Sequence, residues 1–157
     1  MNLRKQLRWL LFASVLFFAL PLQAADNKVE AWTKQVLFNT LSVNYLESDK
    51  DINQMRVHYT HNGWNAISSF LGNYLTVVRA KKLYLHPEAN QPTTILLSGQ
   101  LNNNPLFPRM RVWRVKQGFY IPELNESINF SVVVIQPNLK QPRLLIQSMS
   151  IGKYSGR

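Results

Sequence analysis

With 157 residues, 46% of them apolar and 11% aromatic, the chain has the size of one folded domain and too many core-forming side chains for a disordered tail. Eighteen Lys and Arg against eight Asp and Glu give a formal net charge of +10, which points to an anionic neighbour. The absence of cysteine excludes a disulfide framework, a thiol nucleophile and cysteine-ligated metal, so stability has to come from packing.

The first residues read as an address. Arg4, Lys5 and Arg8 precede a run from Trp9 to Leu20 that is apolar but for Ser14, and Pro21, Leu22, Gln23 and Ala24 follow. A basic start, an apolar stretch of about 12 residues and a small residue at the end make the pattern of a secretory signal peptide, with cleavage expected after Ala24. The rival reading keeps residues 9–24 as a membrane anchor, although a spanning helix wants about 20 apolar residues. Removing the three basic residues leaves fifteen basic against eight acidic, so residues 25–157, expected to be one domain, stay basic.

A first helix is expected next, with Val29, Trp32, Val36, Leu37, Leu41 and Tyr45 on one broad face. Glu47 to Asp51 form a charged turn in which Asp51 is the expected cap of a short second helix carrying Ile52 and Met55. Thr60 then caps a third helix, with Gly63 and Trp64 in its first turn and Trp64, Ile67, Phe70 and Leu71 at the spacing of one face. Gly72 and Asn73 suit a left-handed stop, and Leu75, Val77 and Val78 begin a run that suits a strand.

Strand composition is read over residues 76–86, 93–101, 109–121, 128–136 and 143–151, separated by Pro, Asn and Gly. His86 to Pro92 and Asn102 to Pro105 are loops joining antiparallel neighbours. In the third strand, Arg109, Arg111, Arg114 and Lys116 alternate with Met110, Val112, Trp113 and Val115, and a bulge is expected where the alternation doubles at Trp113. Three helices covering one face of a curved antiparallel sheet make an α+β domain.

The helix start His58-Tyr59-Thr60-His61-Asn62-Gly63-Trp64, followed by Val78-Arg79-Ala80-Lys81-Lys82-Leu83, resembles the DotI/IcmL family of type IVB (Dot/Icm) secretion and related conjugation machines. The motif residues are Tyr59, Thr60, Gly63, Trp64, Ala80, Lys81, Lys82 and Leu83, and a looser likeness takes in Val43-Asn44-Tyr45. The resemblance implies a cone-shaped fold like nuclear transport factor 2 and a non-enzymatic component in the periplasm, or on the periplasmic face of the inner membrane, that assembles with secretion-system subunits and with copies of itself. Typical family members carry a cytoplasmic segment and a transmembrane helix, whereas this chain opens with an apparent cleavable signal.

Catalysis finds little support in the residues themselves. Proton transfer needs a carboxylate or imidazole in an apolar pocket, but Asp26, Glu30, Glu47, Asp49, Asp51, Glu88, Glu123 and Glu126 fall near the start, in a turn or at strand ends, where solvated charges are expected. His58, His61 and His86 make no ligand spacing, and no cofactor or metal is assigned. A basic patch is expected if Arg79, Lys81 and Lys82 lie on a strand beside Arg109, Arg111, Arg114 and Lys116; it suits an anionic surface, against the plainer reading of a solvated outer sheet face, and no specific nucleic acid is expected. Trp64 reads as a core anchor. The alternative function is a periplasmic small-molecule binder or enzyme using the conical pocket of the same fold.

Overall fold

The computed structural model describes residues 24–102 and 109–155; the expected leader, apart from Ala24, and most of the Asn102–Pro105 loop lie outside the described residues. Helix α1, described from residue 24 to 41, buries Val29, Thr33, Val36, Leu37, Thr40 and Leu41 along one stripe. Two of these are threonines; Thr40 donates its hydroxyl to the Val36 carbonyl at 2.8 Å and lies 2.8 Å from the Tyr59 hydroxyl. The short α2, Asp49–Gln54, buries Ile52. Its cap is Ser48 rather than Asp51: the Ser48 hydroxyl accepts from the Asp51 amide while the Asp51 carboxylate accepts from the Ser48 amide, a reciprocal box that an Asp three residues inside the helix can close.

Helix α3, His61–Lys81, runs ten residues past the expected stop at Gly72–Asn73, so the strand expected over 76–86 is instead helix through Lys81. The reason is burial. Trp64, Ile67, Leu71, Tyr74, Leu75 and Val78 keep the three-to-four spacing across the Gly-Asn pair and are all buried, and that continuous face outweighs a propensity cost of about 1 kcal/mol at the glycine. Termination falls to Lys82, which adopts the left-handed conformation at φ 53°. Leu83 to Leu85 then run back beside the chain that leaves α1, through Tyr45 N to Leu83 O at 3.0 Å and Leu85 N to Val43 O at 3.1 Å.

Among the described residues five strands form one antiparallel sheet: β1, Glu88–Ala89; β2, Thr94–Leu101; β3, Met110–Ile121; β4, Glu126–Gln136; and β5, Leu145–Ser155. The last four match expected strands to within a few residues, while β1 falls inside the expected His86–Pro92 loop. Both β1 and β2 pair with β3, one at each end, so the outer strand is broken between them. Gln117, buried at 2% exposure, holds the break: its amide nitrogen donates to the Gln91 carbonyl at 3.1 Å and its carbonyl accepts from the Thr93 hydroxyl.

Period-two alternation in β3 is regular, placing Trp113, Val115, Gln117, Phe119 and Ile121 on one buried face. Their β4 partners on that face are Val134, Val132, Phe130, Ile128 and Glu126. The irregularity expected at Trp113 lies instead in the neighbouring strand, where the register shifts between Ile95 and Leu97; a second shift in the β4–β5 pairing falls at Gln147. The helices cover the buried face, with Phe70 against Phe130 and Phe38 against Phe119 at ring separations of 6.3 and 6.5 Å.

The start of α3 is docked on the second irregularity. Thr60 donates its amide to the Ile146 carbonyl at 3.0 Å and its hydroxyl to the Gln147 carbonyl at 3.2 Å, while that hydroxyl accepts from the Gly63 amide at 3.2 Å. Gly63 then packs so tightly that a Cβ there would stand 2.2 Å from the Ile146 oxygen. Trp64, 8% exposed, meets Tyr59 edge-on at 5.9 Å.

Two predictions follow from this packing, both read by urea unfolding. Gly63→Ala is expected to destabilise by about 2–3 kcal/mol, because the blocking atom is backbone and cannot swing away; Trp64→Ala is expected to cost about 3–5 kcal/mol. Gly72→Ala, at a position where a Cβ meets nothing within 4 Å, is the control and is expected to be neutral or to stabilise by up to about 1 kcal/mol. Equal effects at the two glycines would refute the docking. The second concerns pH: burial pushes the Tyr59 phenol up to about 12, only partly opposed by its hydrogen bond with Thr40. The folded value lies above the roughly 10 of a free phenol, so this contribution is complete below about pH 10 and is lost as pH climbs toward 12. Tyr59→Phe is therefore expected to be less stable at neutral pH yet to lose stability less steeply above about pH 10; an unchanged alkaline slope would contradict it.

Candidate functional site

The motif residues sort into two structural joints. Tyr59, Thr60, Gly63 and Trp64 fasten the start of α3 to β5, as described above, and Leu83 fastens the chain after α3 to Tyr45. Ala80 and Lys81 lie in the last turn of α3 and Lys82 is its left-handed cap, so this block ends a helix instead of forming a strand. The looser segment Val43-Asn44-Tyr45 and the Leu83 block are therefore bonded partners in space.

The expected basic patch is taken apart by the fold. Arg79, Lys81 and Lys82 sit at the end of α3 and not on a strand beside β3. Arg79 is committed to the turn before α2, donating to the Glu47 carbonyl at 3.1 Å and the Asp49 carboxylate at 2.8 Å. On β3 the cations divide between faces. Arg114 and Lys116 are exposed on the side away from the helices, whereas Arg111 shares the helix-facing side with Trp113 and places its guanidinium 5.7 Å from that ring. Arg109 is exposed in the turn ahead of β3. Lys153, which carried no signal in the sequence, projects from β5 to the helix-facing side, 5.2 and 5.5 Å from the Phe70 and Tyr74 rings and 3.2 Å from the Glu126 carboxylate.

Asp49, Asp51 and Glu88 are exposed, as expected of solvated charges, yet most of the carboxylates, exposed or half-buried, have partners within the fold. Asp26 accepts from the buried Trp113 indole at 2.8 Å, Glu30 from the Ile95 amide at 3.3 Å and Glu47 from the Asn44 amide group at 2.8 Å. Asp49 pairs with Arg79, Asp51 with the Ser48 cap, Glu123 with His86 at 2.6 Å and Glu126 with Lys153. The hydrogen bonds from Ser48 hold the Asp51 carboxyl below its ordinary value. Burial works to raise Glu123, but hydrogen bonds from His86 outweigh it and leave that carboxyl lowered. Glu47 is raised, by burial first and by the nearby Asp51 second. Seven of the eight acidic residues are thus engaged in joints of the fold.

Among the described residues no cluster of three or more His, Asp or Glu can hold a metal ion. A depression of about 390 Å³, open to solvent, lies over β3, β4 and β5 and is lined by Lys116, Asn129, Ser131, Ser150 and Tyr154. It contains neither a carboxylate nor an imidazole. Edge strand β2 is exposed along almost its whole length and carries Leu96, Leu97 and Leu101 at 48, 66 and 51% exposure. No helix among the described residues is long and apolar enough to cross a membrane.

No protein family and no curated protein sequence is matched by the chain. Solved structures are. The periplasmic domain of DotI superposes with a TM-score of 0.65 at 19% identity, covering 81% of this chain and 94% of that one. A periplasmic fragment of TraM gives 0.60 at 15% identity, covering 82% and 98%. An IcmL-like type IV secretion system protein from Legionella pneumophila subsp. pneumophila strain Philadelphia 1 gives 0.56 at 15% identity, covering 83% and 94%. At these identities the likeness is one of fold: the chain shares the α+β architecture of the DotI and IcmL-like periplasmic domains over nearly their whole length.

Proposed function

We propose that the chain is an exported, non-enzymatic component or accessory of a type IVB secretion or conjugation apparatus, acting through protein–protein assembly. The observation that carries this reading is the coverage of 94% or more of three solved domains, two described as periplasmic and one as a type IV secretion system protein. In this reading residues 1–24 are the export signal, cleaved after Ala24, and residues 25–157 form one periplasmic domain with the cone shape of nuclear transport factor 2. Should residues 9–24 stay in place, the domain sits on the periplasmic face of the inner membrane.

The side chains favour assembly over catalysis. A general acid or base has to be free to exchange its proton with a substrate, and the carboxylates of this chain hold helices and strands together. Tyr59, Gly63 and Trp64 of the block that resembles the secretion family are buried inside the fold, so partner recognition is left to exposed surface: strand β2 with its leucines, and exposed cations that include Lys81 and Lys82 of that block. Repeated copies packing through such surfaces would build a symmetric ring.

Crosslinking in the native cell, with partners and the mature N-terminus identified by mass spectrometry, tests the reading. Recovery of secretion-machine subunits crosslinked to this chain, with its N-terminus at Ala25, is the expected result. Recovery of none, with turnover of a defined small substrate by the purified protein, would replace assembly by an enzyme.

A further inference from the structure

The antiparallel order brings the start of α1, the end of β2, the start of β3, the end of β4 and the loop over 137–144 to one pole of the domain. Lys28, Arg111, Gln136 and Pro142 line a single depression there, of about 180 Å³. The loop is folded back by Gln136, whose amide donates to the Gln141 carbonyl at 2.9 Å, and this carries the exposed Lys140 to the same end. Arg143 reaches the Val57 carbonyl at 3.4 Å and so brings in the turn that holds the exposed Arg56. Arg109, next to Met110 and thus opposite Leu101, completes the set.

The acidic side chains at this end, Asp26 and Glu30, are engaged by the Trp113 indole and the Ile95 amide. Lys28, Arg56, Arg109 and Lys140 have no carboxylate within ion-pair distance among the described residues. Between these cations stand Val57, Leu101 and Leu139, at 60, 51 and 37% exposure. The opposite pole is electrically mixed: Glu88, Glu123 and Glu126 lie among Lys81, Lys82 and Lys153.

We propose that this pole docks on a bilayer leaflet rich in anionic phospholipid, its cations on the headgroup phosphates and its isolated leucines and valine at the interfacial level. Each Lys or Arg held at such a surface strengthens binding about fivefold, so a group of four orients a small domain without any deep pocket. Single exposed leucines among basic residues suit shallow interfacial burial better than a dry protein interface, which is depleted of charge at its centre. The proposal rests on the exported reading, which is what places the domain beside a membrane, and needs no secretion subunit.

The test uses the full chain with nanodiscs of phosphatidylcholine alone or mixed with phosphatidylglycerol, read by hydrogen exchange of backbone amides. Slower exchange at Leu101, Arg109 to Arg111 and Leu139 to Gln141 with phosphatidylglycerol, abolished by high salt, is expected. The triple variant Lys28→Gln, Arg109→Gln, Lys140→Gln should weaken that protection roughly a hundredfold. The variant Lys81→Gln, Lys82→Gln, Lys116→Gln, with the same loss of charge elsewhere, should keep it. Identical exchange in the two nanodiscs, or equal loss in both variants, would overturn the proposal. Protection by polyglutamate in phosphatidylcholine nanodiscs, without any by phosphatidylglycerol, would reassign the pole to an acidic protein. Any of these failures leaves the crosslinking result untouched, so the two readings fall separately.

Discussion

The fold depends on a contact of backbone with backbone: the first turn of α3 pressed against the β5 carbonyls at Ile146 and Gln147. Helix starts carry unsatisfied amides and sheet irregularities carry unsatisfied carbonyls. Here Thr60 joins one to the other, and Gly63 lets the two backbones approach where no side chain fits. From that anchor α3 can lay its full buried face along the sheet, and the chain beyond Lys82 returns to pair with the exit of α1. Helices α1 and α3 are thereby tied to one sheet face.

The resemblance lay in the residues that build these joints, which explains why fold was more legible than site. Thr60 as a cap, Trp64 as a buried anchor and the strands from β2 to β5 were readable because capping chemistry, helical spacing and Pro-Asn-Gly loops are local signals. The length of α3 was not. Gly72-Asn73 followed by Leu75, Val77 and Val78 has the local look of a stop and a strand, and only the sheet that buries Tyr74, Leu75 and Val78 decides otherwise. The Ser48 cap was hidden for a related reason, because Ser48 and Asp51 are both good caps until their reciprocal hydrogen bonds are seen.

Charge was the least legible quantity. A count of Lys and Arg gives a basic chain, but the role of each cation depends on its partner. Arg79 is spent on Asp49, Arg111 lies against Trp113 and Lys153 covers Phe70 and Tyr74 beside Glu126. The acids are spent in the same way on Trp113, Ile95, Ser48 and His86. Hydrogen bonds from neutral donors fix where a carboxylate stands without removing its charge, so the field at the surface follows the placement of both signs and not the count of Lys and Arg.

The amide of Thr60 gives the most direct measure of the central joint. Under native-state hydrogen exchange in increasing denaturant, its proton, bonded to the Ile146 carbonyl, is expected to exchange only with global unfolding, at the same free energy as the amides of β3 and β4 in the centre of the sheet. Exchange through a local opening several kcal/mol below the global value, with the sheet still protected, would contradict the account by showing that α3 can leave β5 while the rest of the domain stands.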